Sequence, residues 1–165
     1  MKILGIDPGY ERLGIAILEK NKRDKEKVLF SECFKTSAKL SFPERLFLIG
    51  QEIRNIIEKF EPEVLAIETL FLNTNQKTVM RVAEARGVVV YEASKSKLKI
   101  FEASPLQVKM ATTGYGKATK EQVIKMVGIL LKTNNTEVNS RIEKKSDDEL
   151  DAIAIALTAF AYIRN

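Results

Sequence analysis

Asp7 ends the apolar run Ile3-Leu4-Gly5-Ile6, and Glu68 ends a second one, Val64-Leu65-Ala66-Ile67. Further acids cluster in Ser146-Asp147-Asp148-Glu149-Leu150-Asp151, where a helical pattern begins. Asp148 and Asp151 are three apart and share a helix face; Asp147 and Asp151 are four apart and nearly as well placed, so periodicity leaves the inner partner of Asp151 open. The chain has no histidine and one cysteine. That excludes a zinc site of the usual nitrogen and sulfur ligands, a Ser-His-Asp triad and a histidine general base. What remains is carboxylate chemistry, which points to oxygen-ligated divalent cations.

If Asp7, Glu68, Asp148 and Asp151 converge, each like-charged pair about 6 Å apart costs roughly 3 kcal/mol at an effective dielectric of about 20. Summed over every pair in the group, that rivals the stability of a whole domain. Such a cluster needs cations or protons. Two divalent ions would balance four carboxylates, and ions about 4 Å apart could hold an attacking water and a leaving oxygen in line across a phosphodiester. Taken singly the acids have plainer readings. Asp7 before Pro8-Gly9 is a turn signal, and acids in a first helical turn complement the helix dipole for about 0.3 to 1 kcal/mol each. The dipole reading suits Asp147 and Glu149. Asp151 lies deeper and leads into Ala152-Ile153-Ala154, which reads as packed interior.

The elements that must position these acids follow from periodicity. Residues 2–7, 13–20 and 27–36 read as three strands joined by short turns. Ser41 and Glu44 form a capping box, and Leu46, Ile49, Ile53, Ile56, Ile57 and Phe60 recur at helical spacing until Pro62. Residues 64–67 form a short apolar run of the kind found in a strand covered on both faces. A helix is expected over 75–94, with Gly87-Val88-Val89-Val90 weakening its later half. Residues 98–103 read as a strand. Ser104 and Pro105 open a helix, Gly114-Tyr115-Gly116 forms a loop, and Thr119 with Gln122 caps the next helix. Residues 134–146 are polar and irregular. The last helix starts near Ser146 and is expected to bury Leu150, Ile153, Ala154, Leu157, Phe160 and Ala161. Strands followed by alternating helix and strand predict a mixed α/β sheet with helices on both faces.

At 165 residues the chain is expected to be one domain over 1–165, large enough to bury roughly 70% of its unfolded surface. Cys33 has no disulfide partner, which fits a reducing compartment. Neither a basic and apolar leader nor a run of about 18 apolar residues is present, so a soluble cytoplasmic protein is expected. Twenty-seven lysines and arginines against 22 acids leave a formal charge of +5, compatible with a polyanionic partner.

Several motifs in order carry a resemblance. Gly5-Ile6-Asp7-Pro8-Gly9 with Gly14, Ala66-Ile67-Glu68 followed by Phe71, then Asn75 and Thr78, Ala85-Arg86-Gly87, Gly114-Tyr115-Gly116, and Asp148 with Asp151-Ala152 together resemble the RuvC family of crossover junction endonucleases. The resemblance spans nearly the whole chain. It implies a ribonuclease H-like fold, a homodimer, and magnesium-dependent nicking of two opposed strands at a four-way DNA (Holliday) junction in recombination and repair. Carried over, Asp7, Glu68, Asp148 and Asp151 become the catalytic, metal-binding carboxylates, holding two Mg2+ ions for which Mn2+ substitutes, and Asp148 rather than Asp147 becomes the inner partner. The resemblance assigns Phe71 to a DNA-facing loop, where its ring can stack on an unpaired base, and Lys109, Lys117 and Lys120 to the phosphate backbone. Asn75, Arg86 and Tyr115 join them as DNA contacts, and the RuvA and RuvB branch-migration proteins are implied as partners. Each has a plainer alternative: Phe71 in the core, the lysines solvated, Tyr115 closing a turn, Arg86 paired with a local acid such as Glu84. The chain departs from the family pattern at Glu149, where a small residue is common, and in the proline-free stretch 139–145.

Three other functions compete. A Gly-x-Asp-x-Gly opening also resembles the first phosphate loop of actin-like and sugar-kinase-like phosphotransferases, but only Gly9 belongs to an Asp-x-Gly here and no second such loop exists. A non-catalytic junction-binding scaffold is the second, against which all four carboxylates stand. Another ribonuclease H-like nuclease, acting on hybrids or damaged duplex, is the third.

Overall fold

The computed structural model describes residues 1–21, 24–70, 76–131 and 144–163. Its strands are β1 (Lys2–Asp7), β2 (Arg12–Glu19), β3 (Lys27–Lys35), β4 (Val64–Glu68) and β5 (Lys99–Ala103). Its helices are α1 (Phe42–Phe60), α2 (Gln76–Lys95), α3 (Pro105–Thr113), α4 (Lys120–Leu130) and α5 (Asp147–Tyr162). The sheet order is β3-β2-β1-β4-β5. β1, β2 and β3 form an antiparallel meander, and β4 and β5 extend it in parallel with β1. The mixed sheet with helices on both faces is the expected α/β architecture.

Alternation along the strands divides the molecule into two cores. Leu4, Ile6, Leu13, Ile15, Ile17, Leu65 and Ile67 face α1 and α2, where they meet Ile49, Ile53, Ala85, Val89 and Ala93. Ile3, Ala16, Val64 and Ala66 face α5 and the α3/α4 pair. The first face carries branched chains. The second is paved with small residues, so α5 lies almost on the backbone. A Cβ on Gly5 would come within 2.3 Å of the Ala152 carbonyl oxygen, and one on Gly14 within 2.2 Å of the Asp148 carbonyl oxygen. Two glycines thus set how closely the start of α5 approaches β1 and β2. Asp7 and Gly14 are register partners, so the same contact brings Asp148 over Asp7.

Local signals set the helix ends as expected. Ser41, Ser104, Thr119 and Ser146 each head a capping box. The Gly87-Val88-Val89-Val90 stretch does not end α2, which continues to Lys95. Ala85, Val89 and Ala93, four apart, are fully buried, and their packing outweighs the propensity deficit. Ala161 is exposed rather than buried: Ala159 and Phe160 before it take the buried positions of that last turn. Of the irregular stretch, 134–143 lies outside the described residues. No helix among the described residues is long and apolar enough to cross a membrane.

Candidate active site

Asp7 and Glu68 close β1 and β4, which are parallel neighbours. Alternation from Gly5 and Ala66 turns both acids toward α5. Asp151, one turn into α5, joins them in a cavity of about 250 Å³ that also touches Pro105, Val108, Lys109, Lys120 and Val123. Asp148 is outside that lining but near enough for its charge to act on Asp7 and Asp151. Three of the four carboxylates hold their protons more tightly than usual. Asp7 is pushed from 3.8 to about 7, by burial first and then by the charges of Asp151, Glu68 and Asp148. Glu68 is raised by burial and by Asp151, with Lys120 opposing. Asp151 is raised by burial, again against Lys120.

Asp148 behaves differently. Burial pushes it upward, but hydrogen bonds from Arg12 and Cys33 prevail and hold it below the usual range. Arg12 Nε donates to Asp148 Oδ2 at 3.0 Å, its Nη2 pairs with the same oxygen, and Cys33 Sγ stands 3.4 Å away. Gly14 makes this possible, since the strand residues flanking and opposing it, Arg12 and Cys33, point to the same face. Asp151 has its own cation, Lys120 Nζ at 2.8 Å, and Asp147 is 3.7 Å from the same ammonium. Among the described residues no three acidic or thiol side chains close to coordination distance as they stand. The donor set still suits a hard divalent cation. It is all oxygen, and the proton affinity of Asp7, Glu68 and Asp151, raised by burial first and then by neighbouring acids, is the kind a bound cation would relieve.

The remaining expected site residues fall into groups. Lys109 lines the cavity, Lys117 is exposed, and Tyr115 is 57% exposed. Arg86 is already engaged: Nε donates to the Glu68 carbonyl at 3.2 Å, and Nη2 pairs with Glu102 at 2.7 Å. It ties α2 to the ends of β4 and β5. Phe71 and Asn75 lie outside the described residues. Glu149 completes the capping box of α5 by accepting from Ser146 N at 3.0 Å, and it accepts from Ser31 Oγ at 2.7 Å, which turns it away from the cavity. Arg12 has no local sequence signal. Its partner lies 136 residues away, and the sequence marks Cys33 only as an unpaired thiol.

Comparison with known proteins agrees with this geometry. The model of the family described as crossover junction endodeoxyribonuclease RuvC matches residues 3–159. The chain is 43% identical over 157 residues to a crossover junction endodeoxyribonuclease RuvC of Halothermothrix orenii, covering 95% of this chain and 90% of that one. It is 42% identical over the same length to the Finegoldia magna protein of that name, covering 95% and 91%. Its fold superposes on Thermus thermophilus RuvC in complex with Holliday junction substrate with a TM-score of 0.86, at 31% identity over 98% of this chain and 94% of the other. With a ribonuclease H-like sheet that brings acids from two parallel strands and one helix together, and with this likeness over nearly its full length, the chain belongs to the RuvC family of crossover junction endodeoxyribonucleases.

Proposed function

We propose that Asp7, Glu68, Asp148 and Asp151 are the catalytic carboxylates with which this chain resolves four-way DNA junctions by paired, symmetric phosphodiester hydrolysis. The observation that carries the assignment is the meeting of Asp7, Glu68 and Asp151 in one cavity, where the proton affinity of Asp7 is raised by burial first and then by the charges of all three others. Membership of this nuclease family implies a divalent-metal cofactor. The four carboxylates are the residues that would hold it, and two Mg2+ ions, or Mn2+ in their place, match their charge. Bound there, the cations would lower the pKa of a water and neutralise charge on a leaving 3' oxygen, leaving a 5' phosphate.

The chain's own residues prepare that chemistry. Asp7 and Glu68 sit on strand ends braced by the sheet, so their carboxylates are held in place before substrate arrives. Lys120 and Arg12 occupy Asp151 and Asp148, and those ion pairs must open or rearrange when a cation enters. Released from Asp151, Lys120 can turn with Lys109 toward a phosphate at the cavity mouth. Lys117 and Tyr115 extend the same edge. In this reading Phe71 and Asn75 also meet DNA, and Arg86 supports Glu68 from below.

A two-fold pair of chains would set two such sites against opposed strands of a symmetric junction. Contact with the RuvA and RuvB proteins, a cytoplasmic location and a single nuclease domain over 1–165 belong to the same reading, supported by the family match over 3–159. The test incubates the protein and Glu68→Gln with a mobile four-way junction, a matched duplex and an RNA-DNA hybrid, each with Mg2+ and with EDTA. Paired, Mg2+-dependent nicks in the junction by the parent alone are expected. Hybrid cleavage, or junction binding without nicking by the parent, would overturn it.

A further inference from the structure

Four of the five described arginines have a carboxylate within salt-bridge distance: Arg12 has Asp148, Arg45 has Glu11, Arg54 has Glu92 and Arg86 has Glu102. Arg81 has none among the described residues. Its guanidinium instead lies over two aromatic rings, 5.6 Å from the centre of Tyr10 and 5.3 Å from that of Phe42. The rings brace each other edge to face, 5.6 Å apart. The side chain is exposed, as is Lys77 one turn earlier on the same helix. Cation–π contact with two rings holds the guanidinium without an acid competing for it, and a guanidinium so held can offer a phosphate two parallel hydrogen bonds. Ordering of a flexible side chain, usually a cost of binding, is done beforehand by the rings.

Its position matters as much as its chemistry. Tyr10 follows Asp7 by three residues, which limits the separation of their Cα atoms to about 11 Å. Tyr10 packs with the α1/α2 core, whereas Lys109 and Lys120 stand on α3 and α4 across the sheet. Arg86, five residues on, has its Nε and Nη2 committed to the Glu68 carbonyl and Glu102. We propose that Arg81, mounted on Tyr10 and Phe42, is a binding site for a DNA backbone phosphate on the sheet face opposite Lys109 and Lys120, so that the substrate is gripped from both sides of the carboxylate edge. The proposal rests on the junction-nuclease reading above.

The test measures binding of a fluorescent four-way junction in EDTA, where nothing is cut, by the parent, Arg81→Gln, Arg81→Lys and Lys95→Gln across a KCl series. Losing one phosphate contact lowers the slope of log affinity against log salt by about 0.9, so the deficit of Arg81→Gln should shrink about 3.5-fold between 50 and 200 mM. Arg81→Lys should restore the slope, and Lys95→Gln, exposed at the far end of the same helix, should keep it. An unchanged slope in Arg81→Gln, or a loss that Arg81→Lys does not restore, would overturn the proposal. Nicking by Glu68→Gln would instead sink the carboxylate assignment and leave the binding slopes interpretable.

Discussion

Replacing Asp7 by asparagine should abolish cleavage and, without metal, make the protein more stable. The carboxyl is pushed from 3.8 to about 7 in the folded chain by burial and by its three acidic neighbours. Between those values the folded chain keeps a proton that the unfolded chain has released. Stability therefore falls by about 1.4 kcal/mol for each pH unit of rise, up to about 4 kcal/mol across the interval. The stabilising contribution is complete below the unfolded value and lost once pH passes about 7. Asparagine carries no charge at any pH. In EDTA at pH 8, Asp7→Asn should thus be more stable than the parent by up to about 4 kcal/mol, a melting rise of about 8 to 16 °C for a chain of this size. Near pH 4 the difference should vanish. Mg2+ should raise the melting temperature of the parent and leave the variant nearly unchanged, because a bound cation relieves the same repulsion that the substitution removes. Thermal unfolding followed by circular dichroism at pH 4, 6 and 8, with and without Mg2+, reads all of this. A variant no more stable than the parent at pH 8 in EDTA, or a gap independent of pH, would refute the reasoning.

Other perturbations separate site from scaffold. Glu68→Gln should bind a four-way junction with affinity close to the parent's while losing cleavage, since the carboxylate acts on the reacting phosphate rather than on the DNA arms; parallel loss of both would count against its role. Gly14→Ala would drive a methyl into the Asp148 carbonyl, 2.2 Å from the new carbon, forcing α5 off the sheet. A loss of about 1 to 3 kcal/mol in urea unfolding, with cleavage falling further than stability explains, is the expected result. Glu149→Ala removes half of a capping box and the Ser31 contact. It should cost about 0.5 to 2 kcal/mol and leave the Mg2+ dependence of cleavage unchanged; a shifted metal requirement would make Glu149 a ligand.

The order of strands and helices was legible because their signals are local. Short apolar runs ending in Asp7 and Glu68, and boxes headed by Ser41, Ser104, Thr119 and Ser146, need only neighbours within a few residues. The same locality marks Asp7 and Glu68 at strand ends and Asp151 one turn into α5, whereas Asp148 was preferred to Asp147 by the family resemblance and not by periodicity. The continuation of α2 through its valines was harder to read, because long-range packing of Ala85, Val89 and Ala93 outweighs propensity there.

What the sequence by itself determined is thus the inventory of elements, the absence of histidine and paired-cysteine chemistry, and the carboxylates available for a cation. Tertiary structure alone decided how the charged groups are held: Asp148 by Arg12 and Cys33, Asp151 by Lys120, the end of β4 by Arg86, and Arg81 by two rings. Periodicity reports which face a residue occupies, but not which distant residue the fold brings opposite it. That choice rests on register and on close approach, here on two glycines that let a helix settle against the sheet.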